Sequence, residues 1–162
     1  MCMISFTVRG EPKAKGRPRY SIRKTKNGKS FATIRTPEDT VIYENLIRME
    51  YERQCGDFIF EKDVPLKMHV LAYYAVPKSA SKKKAKMMLS GDIRPMKKPD
   101  STNVLKSIED GLNRVAYYDD SQIVDSRISR FYSEAPRVEI IIREEKVQDA
   151  CSEREPFAGM VQ

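Results

Sequence analysis

Between residues 65 and 76 the chain reads Pro-Leu-Lys-Met-His-Val-Leu-Ala-Tyr-Tyr-Ala-Val, which puts Leu66, Met68, Val70, Ala72 and Tyr74 on every second position. Period-two alternation in a run rich in β-branched, aromatic and aliphatic residues specifies a strand with one apolar face. His69 has the opposite parity, near the exposed face, where a structural or solvent role is expected. Residues 3–9 alternate more weakly, with Ile4, Phe6 and Val8 on one side, and read as a first strand. Residues 123–132 and 137–144 read as two final strands joined around Glu134-Ala135-Pro136. Residues 19–23 and 30–35 are short strands, and the Asn27-Gly28 pair between them signals a hairpin that would present a basic arm.

Helical patterns alternate with these strands. Thr36-Pro37-Glu38-Asp39 has the form of a helix start: a threonine in capping position, proline in the first turn, then acids where the helix dipole favours them. Ile42, Leu46, Met49 and Arg53 follow at helical spacing, with Tyr43, Ile47 and Glu50 beside them, and Cys55-Gly56 marks the end. Residues 79–89 predict a basic helix, capped by Ser79 or Ser81 and ending near Ser90-Gly91. A polar connection over 92–99 leads to a central helix over 101–114. Its Val104, Leu105, Ile108 and Leu112 face a sheet, while Asn103, Lys106 and Asp110 lie along another stripe.

With 162 residues, 40% of them hydrophobic, the chain is expected to form one domain over 1–146 and a polar tail over 147–162, with Phe157 packed back. The expected fold class is α/β (α+β): a mixed sheet of four to five strands with helices over one face. Cys2, Cys55 and Cys151 are too few and too scattered for a disulfide scaffold or zinc cluster, which fits a reducing cytoplasm. A single histidine, His69, excludes a histidine-rich metal site. No apolar run is long enough to span a bilayer, and Glu11, Lys13 and Lys15 arrive too early for a signal peptide.

The formal net charge of +7 is unevenly distributed. From Arg9 to Arg35 there are ten Lys or Arg residues and one acid, Glu11, and from Lys78 to Met88 there are five lysines and no acid. Two such blocks beside an acidic centre favour a nucleic-acid partner. Lys13, Lys15, Arg17 and Arg19 in the first block, and Lys82, Lys83, Lys84 and Lys86 in the second, are the expected phosphate contacts.

That acidic centre is the pair Asp119-Asp120 together with Asp100 and Asp110. Two adjacent carboxylates are costly without a cation, because each raises the other's pKa. A hard divalent ion is the simplest remedy, and in a basic chain it suggests chemistry on phosphodiesters. In a strand, Asp119 and Asp120 would point to opposite sides, so one contacts the metal while its neighbour supports the backbone or a ligand. Asp100, just before the central helix, is placed either to cap it or to hold a metal. Lys106 is spaced for a surface salt bridge with Asp110.

Lys98-Pro99-Asp100, Asn103, Lys106, Asp110, Leu112 and the block from Asp119 to Val124 together resemble the RusA-type Holliday junction resolvases, small endodeoxyribonucleases of phages and prophages. The likeness extends more weakly to the loop at 10–19 and the lysine-rich helix. It implies a homodimeric nuclease that binds four-way DNA junctions and cuts two strands of like polarity symmetrically, using Mg²⁺ or Mn²⁺. The family's acidic ligands match Asp100 and Asp120, with Asp119 adjacent, and its essential lysine matches Lys106. Asn103 would fix a carboxylate or the loop.

One position departs from the family pattern: Thr102 stands where a second carboxylate is common. Glu109, two turns further along the same side of the helix and roughly 10 Å along its axis, or Asp110, is expected to supply the missing charge. Three rival readings stand beside the resolvase: a junction-binding protein without activity, a nuclease for flap, branched or single-stranded nucleic acid, and a small basic protein whose acids only cap and salt-bridge.

Overall fold

The computed structural model describes residues 2–17, 19–24 and 30–145, with the side chains of 19–24, 30, 31 and 34 left aside. The elements run β1 (Met3–Arg9), β2 (Arg19–Lys24), β3 (Ser30–Arg35), α1 (Glu38–Cys55), β4 (Leu66–Ala75), α2 (Lys82–Leu89), α3 (Ser101–Leu112), a 3-10 turn (Asp120–Gln122), β5 (Ile123–Ser133) and β6 (Arg137–Glu144). The Asn27-Gly28 turn, the side chain of Arg19 and the tail with Phe157 lie outside what is described.

A four-stranded mixed sheet has the order β1-β6-β4-β5, and β2 pairs with β3 in a separate antiparallel hairpin. The fold is thus the single-domain α+β arrangement expected. β6 is antiparallel to both β1 and β4, whereas β4 and β5 are parallel. Parallel neighbours need a crossover, which the chain supplies with α2 and α3. β5 and β6 follow one another directly yet do not pair; they flank β4. Two strand spacings are about 9.6 Å, within reach of the connection at 134–136.

The alternation read in β4 is the alternation observed. Leu66, Met68, Val70, Ala72 and Tyr74 are buried, and the intervening residues are not. Phe6 and Val8 of β1 and Val138, Ile140 and Ile142 of β6 complete the apolar face. Val104, Ile108 and Leu112 anchor α3 on this core at 0% exposure, each burial stabilising by about 1.5–3 kcal/mol.

Several local expectations are corrected. Thr36 does not cap α1: the cap position is Pro37, without a side-chain cap bond, and the Pro37 carbonyl accepts from Thr40 N at 3.0 Å. The buried stripe of α1 is Thr40, Tyr43, Ile47 and Tyr51, one residue round from the apolar series beginning at Ile42, which is 61% exposed. Packing against β1 and α3 selects the stripe holding two large tyrosines, an alternative that periodicity cannot exclude. The central helix ends at Leu112, two residues early, because Arg114 takes a left-handed φ of 62° and donates its N–H to the Tyr117 carbonyl. Ser81, and not Ser79, caps α2. Among the described residues no helix is long and apolar enough to cross a membrane.

Candidate active site

The carboxylates gather where α3, the turn before β5, the loop at 10–17 and α1 meet. Lys106 Nζ donates to Asp120 Oδ2 at 2.8 Å and lies 3.3 Å from Asp110 Oδ1, one helical turn further along α3. Lys15 Nζ also donates to Asp110, and the loop is seated on α3 by Lys15 N to the Asn103 carbonyl at 2.9 Å. The loop is held on its other side by Gly16 N, which donates to Thr40 Oγ1 at 2.9 Å. A Cβ on Gly16 would come within 2.7 Å of Pro37 Cγ, so only glycine fits there.

Asp119 and Asp120 do not alternate across a strand. Asp119 caps the 3-10 turn, its carboxylate accepting from Ser121 N at 3.0 Å, and Gln122 completes a reciprocal capping box. The Ser121 contacts hold the Asp119 carboxyl below its usual range. Gln122 fastens the turn to the domain: its amide nitrogen donates to the Glu61 and Val64 carbonyls at 2.8 and 3.2 Å, and its oxygen accepts from Tyr118 N at 2.9 Å. The turn chemistry therefore occupies Asp119 and leaves Asp120 for Lys106. Gln122 was not among the expected supporting residues, although the Asp-x-x-Gln spacing is a legible capping signal.

Glu109 is half-buried on α3, and its carboxylate makes no hydrogen bond or ion pair with a described residue. Its pKa is raised, first by burial and further by Asp120 and Asp110, with Lys106 opposing. Lys106 is shifted up in turn, chiefly by its bond to Asp120 and then by Asp110. Glu44 on α1 joins the group: burial raises its pKa, Lys15 opposes the shift and Asp110 adds to it. No sequence signal marks Glu44, because it reaches the cluster only through the packing of α1 on α3.

The remaining expected residues are dispersed. Asp100 occupies the N-cap position of α3, with its carbonyl accepting from Val104 N at 3.1 Å and its exposed carboxylate making no cap bond. No described hydrogen bond or ion pair joins it to Lys106 or Asp120. Thr102 and Asn103 are exposed on the first turn of α3. Lys13, Arg17, Lys82, Lys83, Lys84 and Lys86 are exposed, whereas Lys15 is drawn inward by Asp110.

The donor chemistry suits a hard divalent cation, since every acid here offers carboxylate oxygen. Glu44, Glu109, Asp110 and Asp120 outnumber Lys15, Lys106 and Arg48, which acts on Glu44, by one formal charge. Among the described residues, however, no three acid, imidazole or thiol groups form a ready-made metal cluster. Lys106 is shared between Asp110 and Asp120, and Lys15 pairs with Asp110.

The family model described as "Endodeoxyribonuclease RusA" matches residues 9–143. The uncharacterized protein YqaN of Bacillus subtilis is 43% identical over 146 residues, covering 89% of this chain and 98% of that protein. A crossover junction endodeoxyribonuclease, rusA, of Lactococcus phage r1t is 37% identical over 86 residues, covering 52% of this chain and 59% of the phage protein. The match takes in β4, α2, α3 and β5, and with them every acid and lysine of the cluster: the chain belongs to the RusA endodeoxyribonuclease family.

Proposed function

We propose that this chain is a metal-dependent endodeoxyribonuclease that resolves four-way DNA junctions by symmetric phosphodiester cleavage. The observation that carries this reading is the Lys106 ammonium set between Asp110 and Asp120, in a family of deoxyribonucleases, beside the partly buried Glu109 carboxylate, which has no hydrogen bond or ion pair among the described residues. Asp120, Asp110 and Glu109 would hold Mg²⁺ or Mn²⁺, with Asp100 contributing from the helix start and Asp119 supporting through the turn. When bound, such an ion lowers the pKa of water and stabilises charge on phosphate.

Lys106 is the residue that offers its own charge to the phosphate. A lysine is protonated at neutral pH, and the bonds to Asp120 and Asp110 favour that form further, so its ammonium would stabilise the pentacovalent state or the leaving oxygen. Lys13, Arg17 and the exposed lysines of α2, with Arg19 and Lys15, supply register and salt-sensitive affinity. A homodimer suits a junction, since two symmetry-related sites address opposed strands, and a reducing cytoplasm suits the cysteines.

The test incubates purified protein with synthetic four-way junctions, linear duplex and flap DNA, with Mg²⁺, Mn²⁺ or EDTA. Paired nicks confined to the junction and abolished by EDTA are expected. Tight junction binding without nicks in either metal would leave only recognition, and cutting of flaps in preference to junctions would reassign the substrate. Charge compensation for Thr102 predicts reduced cutting and metal affinity in E109Q or D110N; wild-type values in both variants would end that idea.

A further inference from the structure

The sheet face turned away from the core carries a charge pattern that the acidic cluster does not use. None of its residues is buried. Five basic side chains lie on it, Arg9, Lys67, Arg127, Arg137 and Arg143, against two strand acids and Glu145 just beyond β6, which is 3.2 Å from Lys67. Both strand acids are engaged: Asp125 is 3.3 Å from Lys67, and Glu139 is 2.7 Å from Arg137. Arg127 and Arg143 make no hydrogen bond or ion pair with any described residue. The two line a cavity of about 390 Å³ together with Lys67, His69 and Asp125, over a floor of Met3, Met68 and Ile141.

The other end of the face continues in planar groups. Arg137 stacks on Tyr73 at 4.0 Å, Tyr73 on Phe131 at 5.4 Å, and Arg94 on Phe131 at 3.8 Å. Arg94 Nε donates to the Arg130 carbonyl at 2.5 Å, which leaves its terminal nitrogens without a described partner. A guanidinium stacked on a ring is pre-organised, so it loses little entropy when its N–H edge meets a phosphate.

A second copy of this face is a poor occupant, because two-fold pairing sets one cationic surface on another. An apolar partner would desolvate guanidinium groups without compensation. A polyanion carries neither cost. We propose that this open face is a second DNA-contacting surface, where Arg127, Arg143 and Arg94 bind the backbone phosphates of a DNA arm. The inference rests on the nuclease reading above and extends it to a surface on the far side of the sheet. Arg127 and Arg143 stand on strands either side of β4, opposite His69 and Lys67 respectively, about 12 Å apart by strand spacing and register, so one DNA backbone can span both. β5 is an edge strand, and Arg127 lies no more than about 25 Å of chain from Asp120. A strand cut beside Asp120 therefore has a short path round that edge to the open face.

The experiment measures binding of the full chain to a fluorescent four-way junction and to a linear duplex across a salt series, for wild type, R127A/R143A and a control pair of exposed lysines outside the sheet strands, K62A/K78A. Removing two phosphate contacts is expected to weaken junction binding about tenfold and to reduce the log-log salt slope by about two, with an unchanged melting temperature. An R127A/R143A protein with wild-type affinity and slope overturns the proposal and leaves the nuclease reading intact. So does an equal loss in the control pair, which would mean only a long-range field. Unchanged DNA affinity with a changed sedimentation mass would make the face an interface between copies, also against the proposal. Wild-type protein that binds no DNA sinks both readings together.

Discussion

Lys106 Nζ reaches Asp120 Oδ2 at 2.8 Å, tying the middle of α3 to the turn that leads into β5. If this ammonium acts on phosphate, K106A should lower the cutting rate by about 10²–10³-fold with junction affinity near wild type. D120N should abolish cutting while the protein still folds and binds. Single-turnover cleavage beside anisotropy binding and circular dichroism separates these effects; loss of fold in D120N would make Asp120 structural.

Glu109 supplies a signed pH dependence. Because its pKa is raised above 4.5, the folded state holds this proton more tightly than the unfolded chain does. Folding is therefore penalised as pH rises through that window, and the penalty is complete above the raised pKa. E109Q should stabilise the protein at pH 7, by a fraction of a kcal/mol after solvent screening and about 1–2 °C in Tm, and do nothing at pH 4. Calorimetry at the two pH values checks this, and equal effects at both would contradict it.

Gln122 holds the turn that carries Asp120 through hydrogen bonds to Glu61, Val64, Tyr118 and Asp119. Q122A leaves several of those backbone groups without partners and should cost about 1–3 kcal/mol. Urea denaturation reads the loss directly. Cutting should fall further than stability at a temperature where the variant is fully folded, because Asp120 rides on the same turn.

Gly16 sets the position of Lys15. G16A forces the loop away from Pro37 and Thr40 and should destabilise by about 1–3 kcal/mol, as overpacking does. If the loop shifts as a unit, K15A added to G16A should cost less than K15A alone. Additive losses in that double-mutant cycle would show that Lys15 is held independently of Gly16.

His69, the only histidine, reports on the open face by a single NMR titration. Burial, and then the charge of Arg127, hold its pKa below 6.5. The unfolded chain thus protonates first on acidification, and stability falls as pH drops from about 6.5 through the lowered value. R127A should raise the His69 pKa and shallow that decline; an unmoved titration would show that Arg127 does not act on the imidazole.

Much of the framework follows from local pattern. Period-two alternation in β4, the apolar stripe of α3 and the left-handed Gly56 after α1 depend on neighbours in the chain, and each is legible without a partner in view. The motif from Lys98 to Val124 likewise marks Lys106, Asp110 and Asp120, and with them Asp100, which no described hydrogen bond or ion pair joins to Lys106 or Asp120. Tertiary structure decided what pattern leaves degenerate. It rotated α1 by one residue so that Tyr43, Ile47 and Tyr51 meet the core, and it placed β6 between β1 and β4. It drew Lys15 and Glu44 to Asp110 from distant segments, and it spent Asp119 on a cap while turning Asp120 toward Lys106. The sequence by itself determines which residues can ionise, cap or bury. Which of them converge is settled by packing between segments far apart in the chain, where no spacing rule reaches.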